Sequence, residues 1–95
     1  METKIEIKDG IYYVYLVGSI TSANSGQFEE AVKDIGNENM IIDAKDLEFI
    51  SSAGLRVVLA LKKKCGDKIF KVINVNNEVK NIFDITGFSD FLNIQ

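Results

Sequence analysis

The chain reads as a single α/β domain over residues 1–95: a mixed β-sheet of about five strands with three main helices, in the order β-β-α-β-α-β-α-β. Three observations carry this. Short apolar runs alternate with stretches of helical spacing, an order that builds parallel strands through crossovers. Asp9-Gly10 between two strand-like stretches marks a hairpin at the start. The segment Phe49-Ile50-Ser51-Ser52-Ala53-Gly54-Leu55 joins an apolar strand to an apolar helix through two serines, and serine is a strong helix N-cap.

The elements follow in order. Ile5 and Ile7 alternate with charged neighbours as a first strand, and residues 11–17, rich in Tyr and Val, form a second, with Gly18 at its end. Thr21 or Ser22 is placed to cap the first helix, on which Phe28, Ala31, Val32 and Ile35 share one face. Gly26 weakens its first turns, so residues 19–26 are expected to be partly loop, and Gly36 suits a left-handed position past its end. Residues 40–44 read as a short strand buried on both faces, with Asp43 at its carboxyl end and a loop from Asp46 to Ser51. The second helix is expected from about Ser52 to Cys65, apolar around most of its circumference, with Ser52 as its cap and Gly66-Asp67 as its stop. Residues 69–73 form another strand. Asn76 or Asn77 caps a third helix with Val79, Ile82 and Phe83 inward and Gly87 at its end, and residues 91–94 form a short last strand.

Composition excludes several function classes. Apolar residues make up 46% of the chain, enough for a core, and the net charge of -3 speaks against nucleic acid as a partner. Lys62-Lys63-Lys64 lies at a helix end, where lysines usually form a solvated face that suits the dipole. The chain has no histidine, which excludes Ser-His-Asp triads and His metal sites. No metal or cofactor is expected. The single Cys65 reads as a buried, reduced thiol. The N-terminus lacks a signal peptide and no stretch approaches the ~20 apolar residues of a membrane span, so a cytoplasmic location without membrane attachment is expected. Tyr12, Tyr13 and Tyr15 read as sheet packing.

The stretch from Asp43 to Leu55 also resembles the signature of STAS domains, the family of bacterial anti-sigma-factor antagonists: an Asp-ended strand, an Asp-hydrophobic pair at Asp46-Leu47, then Ser52-Ala53-Gly54-Leu55 opening an apolar helix. Length and element order fit along nearly the whole chain. The family's phosphorylated serine falls on Ser52. The resemblance implies a domain that binds an anti-sigma factor serine kinase when unphosphorylated and thereby frees a sigma factor. It is expected to be a monomer when free. The implied partner surface comprises Thr21, Ser22, Asn24, Asp46, Ser51, Ala53, Gly54 and Arg56. A phosphate on Ser52 would be favoured by the helix N-terminus, and Asp43, Asp46 and Glu48, close in sequence, would repel it.

The chain departs from the family pattern in places. Ser51 stands where many phosphorylated members carry Asp, Ala53 where many carry Ser or Thr, and Thr21 where an Asp is common. It ends after its last strand, where many members add a helix, and the partner surface is expected to be smaller for it. Other readings remain beside this one. A Ser-dependent enzyme lacks both a Gly-x-Ser-x-Gly elbow and a histidine base, so no catalytic residue is assigned. A nucleotide or ligand sensor lacks a Gly-rich phosphate loop. A non-phosphorylated scaffold in a larger signalling complex keeps the fold and drops the switch.

Overall fold

A computed structural model describes residues 1–90 and 92–95, with residue 90 as backbone alone. Its elements are β1 (Glu2–Lys8), β2 (Ile11–Ile20), α1 (Ser25–Val32), β3 (Asn39–Ile50), α2 (Ser52–Cys65), β4 (Phe70–Ile73) and α3 (Asn77–Ile85), followed by a 3-10 turn at Phe88–Asp90. The sheet order is β1-β2-β3-β4. β1 and β2 are antiparallel; β2, β3 and β4 are parallel. The hairpin at Asp9-Gly10 forms because both residues take positive φ, 52° and 77°, as a two-residue turn of matching twist requires.

Side-chain alternation gives the sheet two unlike faces. Val14, Leu16, Ile20, Met40, Ile42, Phe70 and Val72 are buried together with Phe28, Val32, Leu55, Val58, Leu61, Val79 and Phe83 of the helices. The opposite face carries half-buried Tyr13, Tyr15, Ile41 and Ile73, the two tyrosine rings stacking at 6.5 Å.

β3 departs most from the sequence pattern. It does not stop near Ala44 but runs twelve residues to Ile50, so the expected loop from Asp46 to Ser51 is strand up to its last residue. Its register against β2 shifts twice: Tyr15 and Val17 face Asp43 and Asp46, and Gly18 and Ser19 face Leu47 and Phe49. Each shift is one extra residue in β3, a bulge that turns the following side chains over. Inward positions therefore fall at Ala44, Leu47 and Ile50, three apart rather than two. Asp43 lies mid-strand, level with Ile73, where pairing with β4 ends.

Smaller corrections concern ends. β2 continues through Gly18 to Ile20. The cap position of α1 falls on Asn24, and Gly36 is not left-handed. Ala31 is exposed, while Phe28, Val32 and Ile35 are buried as the spacing predicts. β4 begins at Phe70, one residue late. The sheet has four strands, not five: the last strand is reduced to a parallel bridge between Val72 and Ile94, and Phe91 lies outside the described residues. α2 matches its expected span, and Asn76 caps α3 by accepting from the Val79 N–H at 2.8 Å.

Candidate functional site

The carboxyl ends of β2 and β3 meet the start of α2. The Ser51 N–H donates to the Ile20 carbonyl at 2.7 Å, which fixes the chain as it leaves β3. Ser51 has extended backbone (φ -80°, ψ 170°), and its Oγ accepts from the Gly54 N–H at 3.2 Å. Ser51 is therefore the N-cap, not Ser52. Ser52 is the first residue inside the helix; it is exposed, and its hydroxyl has no partner among the described residues.

Gly54 explains why the helix can start so close to the sheet. A Cβ on it would stand 2.7 Å from Ile20 Cγ2 and 2.8 Å from Ile50 Cγ1, nearer than side-chain carbons pack. The missing side chain lets α2 rest on the ends of both strands. Leu55 is buried beneath it, Ala53 half-buried, and Arg56 exposed four residues after Ser52, on the same helix face.

The turn before α1 frames the other side. The Thr21 N–H donates to Asn24 Oδ1 at 2.8 Å, and the Asn24 N–H returns a bond to Thr21 Oγ1 at 3.3 Å. This reciprocal pair has the form of a capping box, with Asn in place of Glu or Gln, around the turn that leads into α1, one turn before the cap position at Asn24. Asn24 Nδ2 also donates to the Ser19 carbonyl at 3.0 Å, which moors the turn to β2 and leaves Ser22 and Ala23 exposed.

The structure thus brings together Thr21, Ser22, Asn24, Ser51, Ser52, Ala53, Gly54 and Arg56. It does not bring Asp46 there: Asp46 pairs with Val17, about 10 Å back along the strand from Ile20. Asp43 is farther still and is engaged by the Lys45 N–H and Asn74 Nδ2 at 3.0 and 3.1 Å. Of the carboxylates adjacent in sequence, Glu48 comes nearest; it is the extra residue of the second bulge, between Leu47 and Phe49. The residue missed at the corner is Phe49, 45% exposed and paired with Ser19. Its signal was the broken alternation at Leu47-Glu48-Phe49-Ile50.

Three helix N-termini share this end of the sheet, since α1, α2 and α3 follow the parallel strands β2, β3 and β4. The first turn of α3 holds Glu78, whereas the first turn of α2 holds no acidic residue, so its positive dipole end is uncompensated. Asn76 Nδ2 donates to the Leu47 carbonyl at 2.9 Å, holding α3 against β3. Lys62, Lys63 and Lys64 lie at the far end of α2, where Lys62 sits over the Phe70 ring and Lys64 donates to the Lys33 carbonyl. No described helix is long and apolar enough to cross a membrane.

This architecture recurs in solved structures. An anti-sigma factor antagonist from Mycobacterium paratuberculosis matches with a TM-score of 0.89 at 24% identity, covering 98% of this chain and 83% of that one. The anti-sigma factor antagonist SpoIIAA in its unphosphorylated form matches with a TM-score of 0.80 at 16% identity, covering 99% and 88%. The fold is thus a mixed α/β domain of the SpoIIAA-like class. Sequence narrows the class: the STAS domain profile matches residues 2–95. A Bordetella bronchiseptica protein, BtrV, named as a candidate anti-sigma factor antagonist, is 33% identical over 93 residues, 93% of this chain and 80% of that one. The chain belongs to the STAS domain family.

Proposed function

We propose that this domain is an anti-sigma-factor antagonist. Its unphosphorylated form binds an anti-sigma factor serine kinase through the Ser52 corner, and phosphorylation of Ser52 ends that binding. The relatives named above support the first half. The second half rests on one observation: Ser51 spends its hydroxyl on the cap, while Ser52 keeps an exposed hydroxyl at an uncompensated helix N-terminus.

The domain is then a binder and a kinase substrate, with no turnover of its own. Ser52 Oγ attacks the γ-phosphorus of the kinase-bound ATP. The Oγ–P bond forms as the bond to the ADP oxygen breaks, and the hydroxyl proton passes to the kinase's base. The product adds about -1.5 to -2 charges at one point. Within the domain this charge is tolerated, because it meets the dipole of α2 and lies one turn from the Arg56 guanidinium. A partner packed over Ser22, Phe49, Ser52 and Arg56 must instead desolvate it, at a cost of several kcal/mol. Thr21, Asn24, Ser51, Ala53 and Gly54 hold the shape of this surface; Asp46 is left outside the footprint.

The test uses the anti-sigma factor serine kinase encoded in the same genome. Intact mass after incubation with ATP should show one added phosphoryl group, absent in Ser52→Ala. Calorimetric titration should show Ser52→Asp binding about 100-fold more weakly or worse, the effect of ~3 kcal/mol, and Ser52→Ala binding as the native chain does. Native-like binding by Ser52→Asp would refute the switch. Release by Ser51→Asp alone would move the acceptor back one residue.

A further inference from the structure

The sheet has two edges of different character. The outer edge of β4 is occupied by the chain's last residues: the Val72 N–H donates to the Asn93 carbonyl, and the Gln95 N–H to the Val72 carbonyl, both at 2.8 Å. Among the described residues, nothing pairs with the outer edge of β1. Lys8 and Ile11 flank the two-residue turn, so they form a hydrogen-bonded pair, as do the alternate positions Glu6, Lys4 and Glu2 with their partners on β2. The N–H and C=O groups of Thr3, Ile5 and Ile7 therefore point outward, and Ile5 and Ile7 are 38% and 59% exposed.

We propose that β1 pairs antiparallel with β1 of a second copy, across a two-fold axis at Ile5, to give one continuous sheet. The order of charges carries this. With Ile5 opposite Ile5, Glu2 faces Lys8 of the second copy, and Lys4 faces Glu6. Thr3 faces Ile7 in the pairs that exchange main-chain bonds, for about six hydrogen bonds in all. The charged positions fall in the non-bonded pairs, where Cα atoms approach to about 4.5 Å and side chains are closest. Slipping by two residues in either direction sets Lys4 against Lys8 and Glu6 against Glu6, or Glu2 against Glu6 and Lys4 against Lys4. A slip by one residue sets outward-pointing groups against inward-pointing ones and forms no ladder.

Charges that merely guard an edge need no order of sign. Here the order favours one register and opposes its neighbours. Within one copy, the contacts of Lys8 among the described residues are exposed ones, Glu6 at 3.5 Å and the Tyr13 ring at 5.8 Å, which offer little competition. The pairing is one strand wide, below the ~1,200 Å² of stable complexes, so the dimer is a weak one. It replaces the expectation of a free monomer. Because the strands run antiparallel, the Ser52 corners lie at opposite ends of the dimer, and each stays open to its own partner.

Sedimentation equilibrium of the native chain from about 10 μM to 1 mM should show the mean mass rising from one copy toward two, across the range expected for a weak interface. Lys4→Glu sets like charges opposite each other twice per dimer and should weaken association about tenfold or more. The charge-swapped Lys4→Glu/Glu6→Lys variant should restore it to within about threefold, since the pairs are re-formed with reversed sign. Amide exchange should slow with concentration at Thr3, Ile5 and Ile7. A chain that stays monomeric throughout, a dimer indifferent to these charges, or β1 amides protected only on adding the kinase would overturn the proposal.

Discussion

The Ser51 N–H and the Ile20 carbonyl stand 2.7 Å apart, so the last residue of β2 holds the residue that caps α2. One hydrogen bond thereby ties both strands and the helix that crosses onward from them. The two adjacent serines carry different loads as a result.

Ser51→Ala should destabilise the domain by about 1 kcal/mol, the usual cost of a lost N-cap acceptor. Ser52→Ala should change stability by less than ~0.5 kcal/mol, since its hydroxyl is exposed and unbonded. Ser52→Asp should leave stability unchanged or raise it by up to ~1 kcal/mol, because a carboxylate in the first turn complements the dipole. Urea unfolding of the three variants checks this ranking; equal losses at both serines would contradict the assignment of the cap.

Gly54→Ala should destabilise by about 1–3 kcal/mol, the range for overpacking a filled site. The added Cβ meets the branch carbons of Ile20 and Ile50 below 3.0 Å, and neither can give way without turning a buried isoleucine about its Cα–Cβ bond. The strain should appear as well at the corner, as amide shift changes at Ser51 and Ser52 in a ¹⁵N spectrum. A variant of native stability would show that α2 can lift from the strands at no cost.

Cys65 is fully buried, with Sγ 3.0 Å from the Glu38 carbonyl and 3.2 Å from that of Ile69. Burial pushes its pKa up, and nearby Lys62 opposes this less strongly. The folded state then keeps the proton while the unfolded chain ionises, so ionisation favours unfolding. The thiol's contribution is complete below the unfolded pKa of about 8.5 and is lost as pH rises beyond it. Stability of the native chain should fall above that pH more steeply than that of Cys65→Ala. A thiol reagent should label the native chain only through unfolding.

Much of this fold was legible because local signals agreed. Asp9-Gly10 lies between alternating stretches, α2 is apolar at Leu55, Val57, Val58, Leu59 and Leu61, and Asn76 precedes the inward-facing Val79 and Phe83. The end of β3 was hidden because Ala44, Leu47 and Ile50 recur every three residues, a spacing that belongs to neither a flat strand nor a long helix. The bulges that create it depend on pairing with β2, which is not local information. The cap was misplaced by one because two identical side chains adjoin, and only the extended backbone of Ser51 tells them apart. The acidic residues looked clustered along the chain, yet extension at about 3.3 Å per residue separates Asp43 from the corner by more than 15 Å.

The paired irregularities of β3 impose an arithmetic on its length. One extra residue inverts which face every later side chain takes, and a second restores it. Ile50 consequently points inward just as it would in a flat strand two residues shorter. Loss of a single residue between Ala44 and Ile50 would turn Ile50 outward and deliver Ser51 and Ser52 to the sheet's other side. Loss of two, one from each irregularity, would leave the corner in place on a straighter strand. Length in this segment is therefore free to change only in even steps, while the turn at Ser22 and Ala23 across from it carries no such parity.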